Sequence, residues 1–349
     1  MEQFVGLDVS QKLTHICVVD REGKAMWRGS SSTTPEDIAA AVRAHAPGAV
    51  RIGFETGALS TWLWHGLKKI GLPIVCLDAR HAKAALSMQV NKSDRNDAFG
   101  LAQIVRTGWY REVGVKSIES HQIRAVLGAR AQLVGMRTDL RNQIRGLLKV
   151  FGVVLERHSD KSFEDRVKEV ARAAPDILAT SLRSLLAILQ PVCTQIALLD
   201  RLVMTQAKGT AMARHLMGVP GVGPVTAMAF VTAVEDPARF RKSRSVGAYF
   251  GLTPRRYQSG EVDANGRISK CGDPLVRAYL FEAATALLTT CKKWSALKAW
   301  GLRIAKRSGM NKARIAVARK LAVILHQMWT TGEDFRWSNK GNETEVAAA

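Results

Sequence analysis

The sequence has few cysteines, few acidic residues and no uninterrupted apolar run, and each shortage excludes a class of protein. None of its five cysteines lies within four positions of another. This spacing excludes a CxxC zinc or redox pair and is typical of a reduced, cytosolic protein. The longest stretch without Asp, Glu, Lys or Arg, residues 215–234, contains glycines and prolines that would break a spanning helix. Residues 1–12 carry two acids and do not resemble a signal peptide. We therefore expect a cytoplasmic protein with no membrane partner.

The shortage of acids leaves a strong positive charge. The chain has 51 Lys and Arg against 30 Asp and Glu, a formal net charge of +21. Residues 239–320 alone contain 19 basic and four acidic residues. Such an excess indicates a polyanionic partner, of which nucleic acid is the commonest. At 47% hydrophobic residues the chain has enough apolar material for packed cores, which excludes a wholly disordered protein.

The first third alternates short β-branched segments with amphipathic ones. Strands are predicted over residues 3–9, 14–20, 24–30, 50–54 and 73–78, and helices begin near Pro35, residue 59 and Asp94. Alternation of this kind predicts an α/β domain, which we assign to residues 1–112.

A heptad pattern begins near residue 118. Val126, Leu133, Leu140, Leu147 and Val154 recur every seven residues, which predicts a long helical, coiled-coil-like connector over residues 113–210. A second helical stretch, residues 166–208, could return beside it. The helix could pack on its own chain or pair with a second copy, and the pattern leaves both open.

The remaining sequence predicts a mainly α domain over residues 211–330 and a disordered tail over residues 331–349. The turn at residues 219–224 (VPGVGP) precedes an apolar helix. It could offer backbone N–H groups to a phosphate or serve as a tight interhelical turn.

Four acids are candidate metal ligands. Asp8 lies in an apolar strand, Glu55 ends another, and Asp94 and Asp97 are three residues apart on one helix face. Four carboxylates can hold hard cations such as Mg²⁺ or Mn²⁺ for phosphoryl transfer. Helix capping and the helix dipole explain Asp94 and Asp97 equally well, but an acid in an apolar strand is costly without compensation.

A Gly-flanked segment, residues 251–273, is predicted as a loop between helices. Its basic residues Arg255, Arg256, Arg267 and Lys270 could neutralise a phosphodiester. Ser259, beside Gly260, could act as a nucleophile or be an ordinary turn serine. Ser243 and Ser245 are weaker candidates. The eight histidines show no ligand spacing, and none is assigned a role.

These residues together give the chain a family resemblance. Residues 6–10 (GLDVS), 53–57 (GFETG) and 91–97 (NKSDRND), followed by residues 247–254 (GAYFGLTP), 258–260 (QSG) and 267–273 (RISKCGD), resemble the DEDD transposases of the IS110 insertion-sequence family, relatives of pilin-gene invertases. The resemblance covers residues 5–324. It implies a ribonuclease-H/RuvC-like N-terminal domain and a serine-bearing transposase domain.

By this resemblance Asp8, Glu55, Asp94 and Asp97 are the catalytic acids and metal ligands, and Ser259 is the catalytic serine. The family implies a bacterial recombinase that excises and inserts an element through a serine–DNA intermediate. Its expected partners are donor and target DNA, a structured guide RNA and further copies of itself, as a dimer or tetramer. Two alternatives stay open. In one the acids activate water, as in a Holliday-junction resolvase, and in the other the chain only binds RNA or DNA.

Overall fold

The computed structural model describes residues 1–87, 93–155, 160–260 and 262–338. The chain divides into two units, Met1–Ile118 and the residues from Glu119 onward, each with its own hydrophobic core. The two units divide after Ile118, whereas the predicted boundary is at residue 112. The predicted division at residue 210 stays a prediction, because Leu127 and Val203 share one core with the helices that follow.

The first unit is built on a mixed five-stranded sheet. Its strands are β1 (Gln3–Val9), β2 (Leu13–Val19), β3 (Ala25–Ser32), β4 (Ala49–Glu55) and β5 (Ile74–Leu77), in the order β3-β2-β1-β4-β5. β1, β2 and β3 pair antiparallel, whereas β1, β4 and β5 pair in parallel. All five strands coincide with the predicted ones to within about two residues, and β1 and β2 are rich in buried apolar side chains.

In the described part of this unit the helices are α1 (Pro35–His45), α2 (Ser60–Lys69), α3 (Ala79–Leu86) and α4 (Asp94–Thr107). α1 and α2 bury Ile38, Val42 and Leu63 in one core with the strands. α4 lies against β1 so closely that a Cβ on Gly6 would come within 2.1 Å of the Ala98 carbonyl oxygen. Only glycine permits this approach, and it fixes the first turn of α4 beside the end of β1.

The second unit is mainly helical, as predicted. Its helices are α5 (Ile118–Val150), α6 (Asp160–Ala173), α7 (Asp176–Gly209), α8 (Ala211–Leu216), α9 (Pro224–Val234), α10 (Arg244–Tyr249), α11 (Pro274–Thr289), α12 (Ala296–Ser308) and α13 (Met310–Thr331). The stretch predicted over residues 166–208 is two helices, which are divided at Pro175. By length and composition alone α7 could cross a membrane, but the core helix of a soluble protein meets the same criterion.

The long α5 helix is present, but its buried register differs from the predicted heptad. Its fully buried residues are Leu127, Ile144 and Leu148, whereas Leu133 and Leu140 are half-buried. The helix ends at Val150, and Phe151 and Val154 lie beyond it with exposed side chains. Val154, the last residue of the predicted heptad pattern, therefore does not belong to the helix. Ile144 and Leu148 pack instead on residues of α6 and α7 such as Phe163 and Leu182.

Two further expectations are corrected. The segment predicted as a loop is a β-hairpin of β6 (Pro254–Ser259) and β7 (Val262–Ile268). Residues 331–338, assigned to a disordered tail, contain the last residue of α13 and a segment whose Phe335 is 8% exposed and belongs to the core. An aromatic anchor explains the order of this short segment. Residues 339–349 lie outside the described residues.

Candidate active site

Asp8 and Glu55 lie side by side at the ends of neighbouring parallel strands. β1 and β4 pair with Leu7 opposite Phe54, so the next residue of each strand is an acid. Both side chains are half-buried, and both line a cavity of about 420 Å³ together with the hydroxyl residues Ser10, Thr56 and Ser60. Parallel pairing thus places two carboxylates, far apart in sequence, at one edge of the sheet.

Asp94 and Asp97 occupy the first turn of α4. The Ser93 hydroxyl caps this helix by accepting a hydrogen bond from the Asn96 backbone N–H at 3.3 Å. Asp97 is half-buried and directly precedes Ala98, which packs at Gly6. The first turn of α4 is therefore held beside β1, two residues from Asp8.

His15 connects this helix to the sheet. Its Nε2 lies 3.6 Å from Asp94 Oδ2, and on β2 it pairs directly with Asp8. The sequence interpretation gave His15 no role. The signal that could have found it is antiparallel pairing of the two predicted strands, which sets residue 15 opposite residue 8.

The donor chemistry of the four acids suits a hard divalent cation, because all of their ligand atoms are carboxylate oxygens. Over residues 1–87, 93–155, 160–260 and 262–338, however, no three His, Cys, Asp or Glu side chains are disposed to hold a metal ion. Asp94 is turned outward, with 70% of its side chain exposed. Residues 91 and 92 of the predicted motif lie outside the described residues.

Ser259 is the last residue of β6, at the tip of the hairpin in the second unit. Its hydroxyl is exposed, it pairs with Val262, and Gly260 turns the chain with a φ of 53°. Because side chains alternate along a strand, Arg255, Tyr257 and Ser259 share one face of β6. Tyr257 is 67% exposed. The hairpin presents a hydroxyl, an aromatic ring and a guanidinium on one surface.

Arg256 lies on the opposite face of β6, where it is already paired. Its Nε and Nη2 donate to the two carboxylate oxygens of Asp263 at 2.8 and 2.6 Å. The Arg256 hydrogen bond lowers the pKa of the Asp263 carboxyl below its ordinary value. This pairing does not support the expectation that Arg256 clamps a phosphate, because its fork of donors is satisfied across the strands.

The other predicted basic residues lie at the base of the hairpin. Arg255 donates to the Ser269 carbonyl oxygen at 3.2 Å, and Arg267 and Lys270 are exposed. Lys270 has a φ of 54°, and its backbone N–H donates to Gly251. These three cations remain on the hairpin surface.

The hairpin is attached to the helical core by closely packed backbone. A Cβ on Gly272 would lie 1.9 Å from the Tyr249 carbonyl oxygen, so the chain approaches itself at a position with a φ of 83°. Asp273 then caps α11 by accepting from the Leu275 and Val276 backbone N–H groups, and it forms an ion pair with Arg124 of α5. The base of the hairpin is thereby fixed.

A second serine has a histidine partner that sequence reasoning missed. Ser243 Oγ lies 3.0 Å from His326 Nδ1, and His326 Nε2 lies 3.0 Å from the Pro237 carbonyl oxygen. Since a carbonyl only accepts, Nε2 donates to it and Nδ1 accepts from the serine. The two residues are 83 positions apart, so no local motif indicates the pair. His326 is 1% exposed, and satisfying a buried imidazole is a sufficient structural role.

The glycine turn before α9 serves packing. A Cβ on Gly221 would lie 2.4 Å from the Ala283 carbonyl oxygen of α11, and its φ is 86°. Of the two interpretations of this turn, the contact favours the tight interhelical connection.

Comparison with known proteins agrees with these features. The DEDD transposase model of the IS110 family matches residues 5–152, and the model described as "Transposase IS116/IS110/IS902 family" matches residues 213–299. The transposase for insertion sequence element IS1111A of Coxiella burnetii is 29% identical over 342 residues, covering 96% of this chain and 91% of the relative. A probable family 20 transposase of Pseudomonas aeruginosa is 32% identical over 240 residues, covering 67% and 71%.

A third similar protein is the pilin gene-inverting protein of Moraxella bovis, 29% identical over 112 residues, or 31% of this chain and 34% of the relative. The α/β unit with its carboxylates at parallel strand ends, taken with these matches, defines a transposase, an enzyme that cleaves and rejoins DNA. The chain belongs to the IS110 family of insertion-sequence transposases. The DEDD model implies a ribonuclease-H/RuvC-like fold for the first unit, and domains of this type generally use divalent metal ions.

Proposed function

We propose that this transposase excises and inserts its element through a covalent serine–DNA intermediate, with Asp8, Glu55, Asp94 and Asp97 holding Mg²⁺ or Mn²⁺ and Ser259 as the nucleophile. The observation that carries the proposal is the juxtaposition of Asp8 and Glu55 at one cavity, with the first turn of α4 held beside them. A bound divalent ion would supply charge stabilisation for the phosphate undergoing substitution.

Ser259 suits the nucleophile's role by position and exposure. Its Oγ would form a bond to phosphorus as the bond from phosphorus to one strand's sugar oxygen breaks, and the serine proton would pass to that departing oxygen. Attack by the hydroxyl of a new strand would reverse the exchange and release Ser259, so no external energy source is needed. Arg255, on the same face but at the base of the hairpin, would contact the DNA backbone beside the cleavage point rather than the phosphate under attack.

Ser243 is the competing nucleophile within the same reaction. Its hydroxyl has a hydrogen-bonded base in His326, and that base is oriented by Pro237, the order of parts that activates serine in other enzymes. Against it, Ser243 is half-buried beside a six-residue helix, whereas Ser259 is exposed at a hairpin tip.

The partners we propose are donor and target DNA, a structured guide RNA and further copies of the chain. A guide RNA would select sequence by base pairing, leaving the protein to contact backbone and shape. The formal charge of +21 supports several nucleic-acid segments on one protein. A dimer or tetramer is supported by exposed apolar residues of α7, including Ile188 and Leu198.

The deciding experiment maps the adduct. Wild-type protein is incubated with Mg²⁺ and end-labelled DNA that carries the element junction, then denatured and digested with trypsin. Cleavage after Arg256 and Arg267 gives an 11-residue peptide, 257–267, in which Ser259 is the single serine. We expect the DNA on this peptide, no adduct with Ser259→Ala, and a wild-type adduct with Ser245→Ala as the matched control.

Other outcomes would each contradict a defined part of the proposal. An adduct on Ser243 that is lost in His326→Gln would transfer the role to the Ser–His pair. Strand cleavage at the wild-type rate by Ser259→Ala, with no adduct, would identify hydrolysis of the resolvase type. Nucleic-acid binding without metal-dependent cleavage would leave only the binding interpretation.

A further inference from the structure

A second cavity, away from the hairpin, lies between α12, α13 and residues 332–338. Its volume is about 440 Å³, a size that accommodates a small organic ligand. The wall and floor are apolar, formed by the half-buried Trp300 and the buried side chains of Leu297, Met328 and Phe335. An aromatic ring on an apolar floor favours a flat, partly apolar group.

The cavity is preformed, because the segment that closes it is attached at several points. The Ala296 backbone N–H donates to the Trp337 carbonyl oxygen at 2.9 Å, and His215 Nε2 lies 3.1 Å from the Glu333 carbonyl oxygen. Lys293 Nζ stands 3.7 Å from the centroid of the Trp337 ring. A ligand entering the cavity would not have to order this wall.

The rim carries a net positive charge. Three cations, Arg303, Lys320 and Arg336, line the cavity against two acids; Glu333 pairs with Arg336 at 2.7 Å, and the exposed Asp334 lies 3.5 Å from His215. Arg303 and Lys320 also line it and are exposed, and within the described part of the chain neither has an ion-pair partner. Two available cations therefore stand at the mouth of an aromatic-walled cavity.

We propose that this cavity binds one unstacked nucleotide of a single strand, with its base against Trp300 and its phosphate at Arg303 and Lys320. Trp300 and Arg303 are three residues apart on α12 and so project from one side of the helix. A nucleotide has the same arrangement, a flat ring joined to an anion. Gln327, which also lines the cavity, carries donors and an acceptor suited to a base edge.

The strand could be DNA or RNA, since both carry this chemistry, and the test distinguishes them. Fluorescence anisotropy of labelled 20-nucleotide dT, U and abasic DNA strands would be measured with the full-length protein in EDTA. Without divalent ions no strand transfer occurs, so failure of the serine chemistry would not alter the result.

We expect wild-type protein to prefer a base-bearing strand over the abasic one. Trp300→Leu should weaken binding of that strand roughly tenfold and leave the abasic strand unaffected, since base–aromatic stacking is lost. Arg303→Ala should weaken binding of both the base-bearing and the abasic strand. It should also reduce the slope of log affinity against log salt concentration by about 0.7. The base-bearing strand whose affinity falls further with Trp300→Leu identifies the source as DNA or RNA.

Matched controls are Arg307→Ala on α12 and Lys312→Ala on α13, both exposed and outside the cavity lining. The proposal is overturned if Arg303→Ala and Lys320→Ala weaken binding no more than these controls. It is also overturned if Trp300→Leu, with a native circular dichroism spectrum, retains the full preference for bases. If Trp300→Leu does not fold, the binding affinities of Arg303→Ala and Lys320→Ala decide the test.

Discussion

Asp8 and Glu55 become neighbours through backbone pairing, and each lies at or next to the end of an apolar strand, at the same cavity. Burying a carboxylate at such a position is costly unless the site compensates it, so these acids are poor choices for stability alone. At the scale of the residue, the pair is the feature most directly tied to chemistry.

Replacing Asp8 by Asn removes one charge and keeps the shape of the side chain. We expect Asp8→Asn to lower element excision at least a hundredfold, because the carboxylate is a proposed metal ligand, while DNA binding and the thermal unfolding midpoint stay near wild type. A junction-specific PCR measures excision. Glu36→Gln, an exposed acid on α1, is the control and should excise normally, whereas full activity in Asp8→Asn would exclude a catalytic role.

At the scale of the elements, the position of α4 depends on Gly6, a glycine of β1. A methyl group on Gly6 would lie 2.1 Å from the Ala98 carbonyl oxygen and 2.3 Å from the Ala102 nitrogen, both backbone atoms. We expect Gly6→Ala to reduce the free energy of unfolding by about 1–3 kcal/mol, the usual range for overpacking, because α4 must move away from β1. Excision should fall too, since Asp94 and Asp97 begin that helix.

The control for Gly6→Ala is a glycine whose replacement should raise the free energy of unfolding. Gly135 lies within α5, and a Cβ there would meet no atom within 4 Å. Gly135→Ala should therefore stabilise the protein by about 0.5–1 kcal/mol, because alanine loses less backbone entropy in a helix. Urea unfolding measures both variants. Equal and small effects would mean that the α4–β1 contact does not constrain the helix.

α7 presents an apolar stripe that its own chain leaves exposed. At 100° per residue, Ile177, Ile188, Leu198 and Leu202 fall within an arc of about 80°, and Met204 faces the opposite way. We expect the double variant Ile188→Glu and Leu198→Glu to shift the protein to a smaller assembly in light scattering, because paired charges would be buried at the interface. Met204→Glu should assemble as wild type. Unchanged assembly in the double variant would exclude this face as the contact.

The elements also show what a sequence can predict and what it cannot. The strands of the first unit could be predicted because apolar, β-branched segments mark buried strands, and strand ends then locate Asp8 and Glu55. The β6–β7 hairpin was missed because β6 is exposed on both faces, so no alternation of apolar and polar residues marks it. The His15–Asp94 and His326–Ser243 contacts were missed because they depend on tertiary packing. The heptad pattern correctly predicted helix α5. Which side chains of its second half are buried, however, depends on packing against α6 and α7.

At the scale of the whole molecule, the concentration of charge governs binding. Residues 239–320, with 19 basic and four acidic residues, supply +15 of the net charge of +21. We expect the logarithm of the affinity for duplex DNA to fall linearly with the logarithm of salt concentration, by about 0.9 per phosphate contacted. A filter-binding titration measures the slope. Arg267→Ala should reduce the slope by the amount expected for about one phosphate contact. Arg256→Ala should reduce it by less, because the Arg256 side chain is already paired with Asp263. A slope near zero would exclude phosphate neutralisation as the source of affinity.

The packing of Phe335 determines the order in which the two hydrophobic cores can form during synthesis. The first unit contains all of its strands and α4 by Thr107, so its core can close while translation continues. The second core joins Leu127 of α5 to Phe335, beyond the last helix. It reaches its final packing only after Phe335 has left the ribosome. The proposed acids are therefore held in a folded domain before the hairpin that carries Ser259 has its supporting core. A polypeptide truncated after α13 would lack Phe335, and the core of its second unit would stay incomplete.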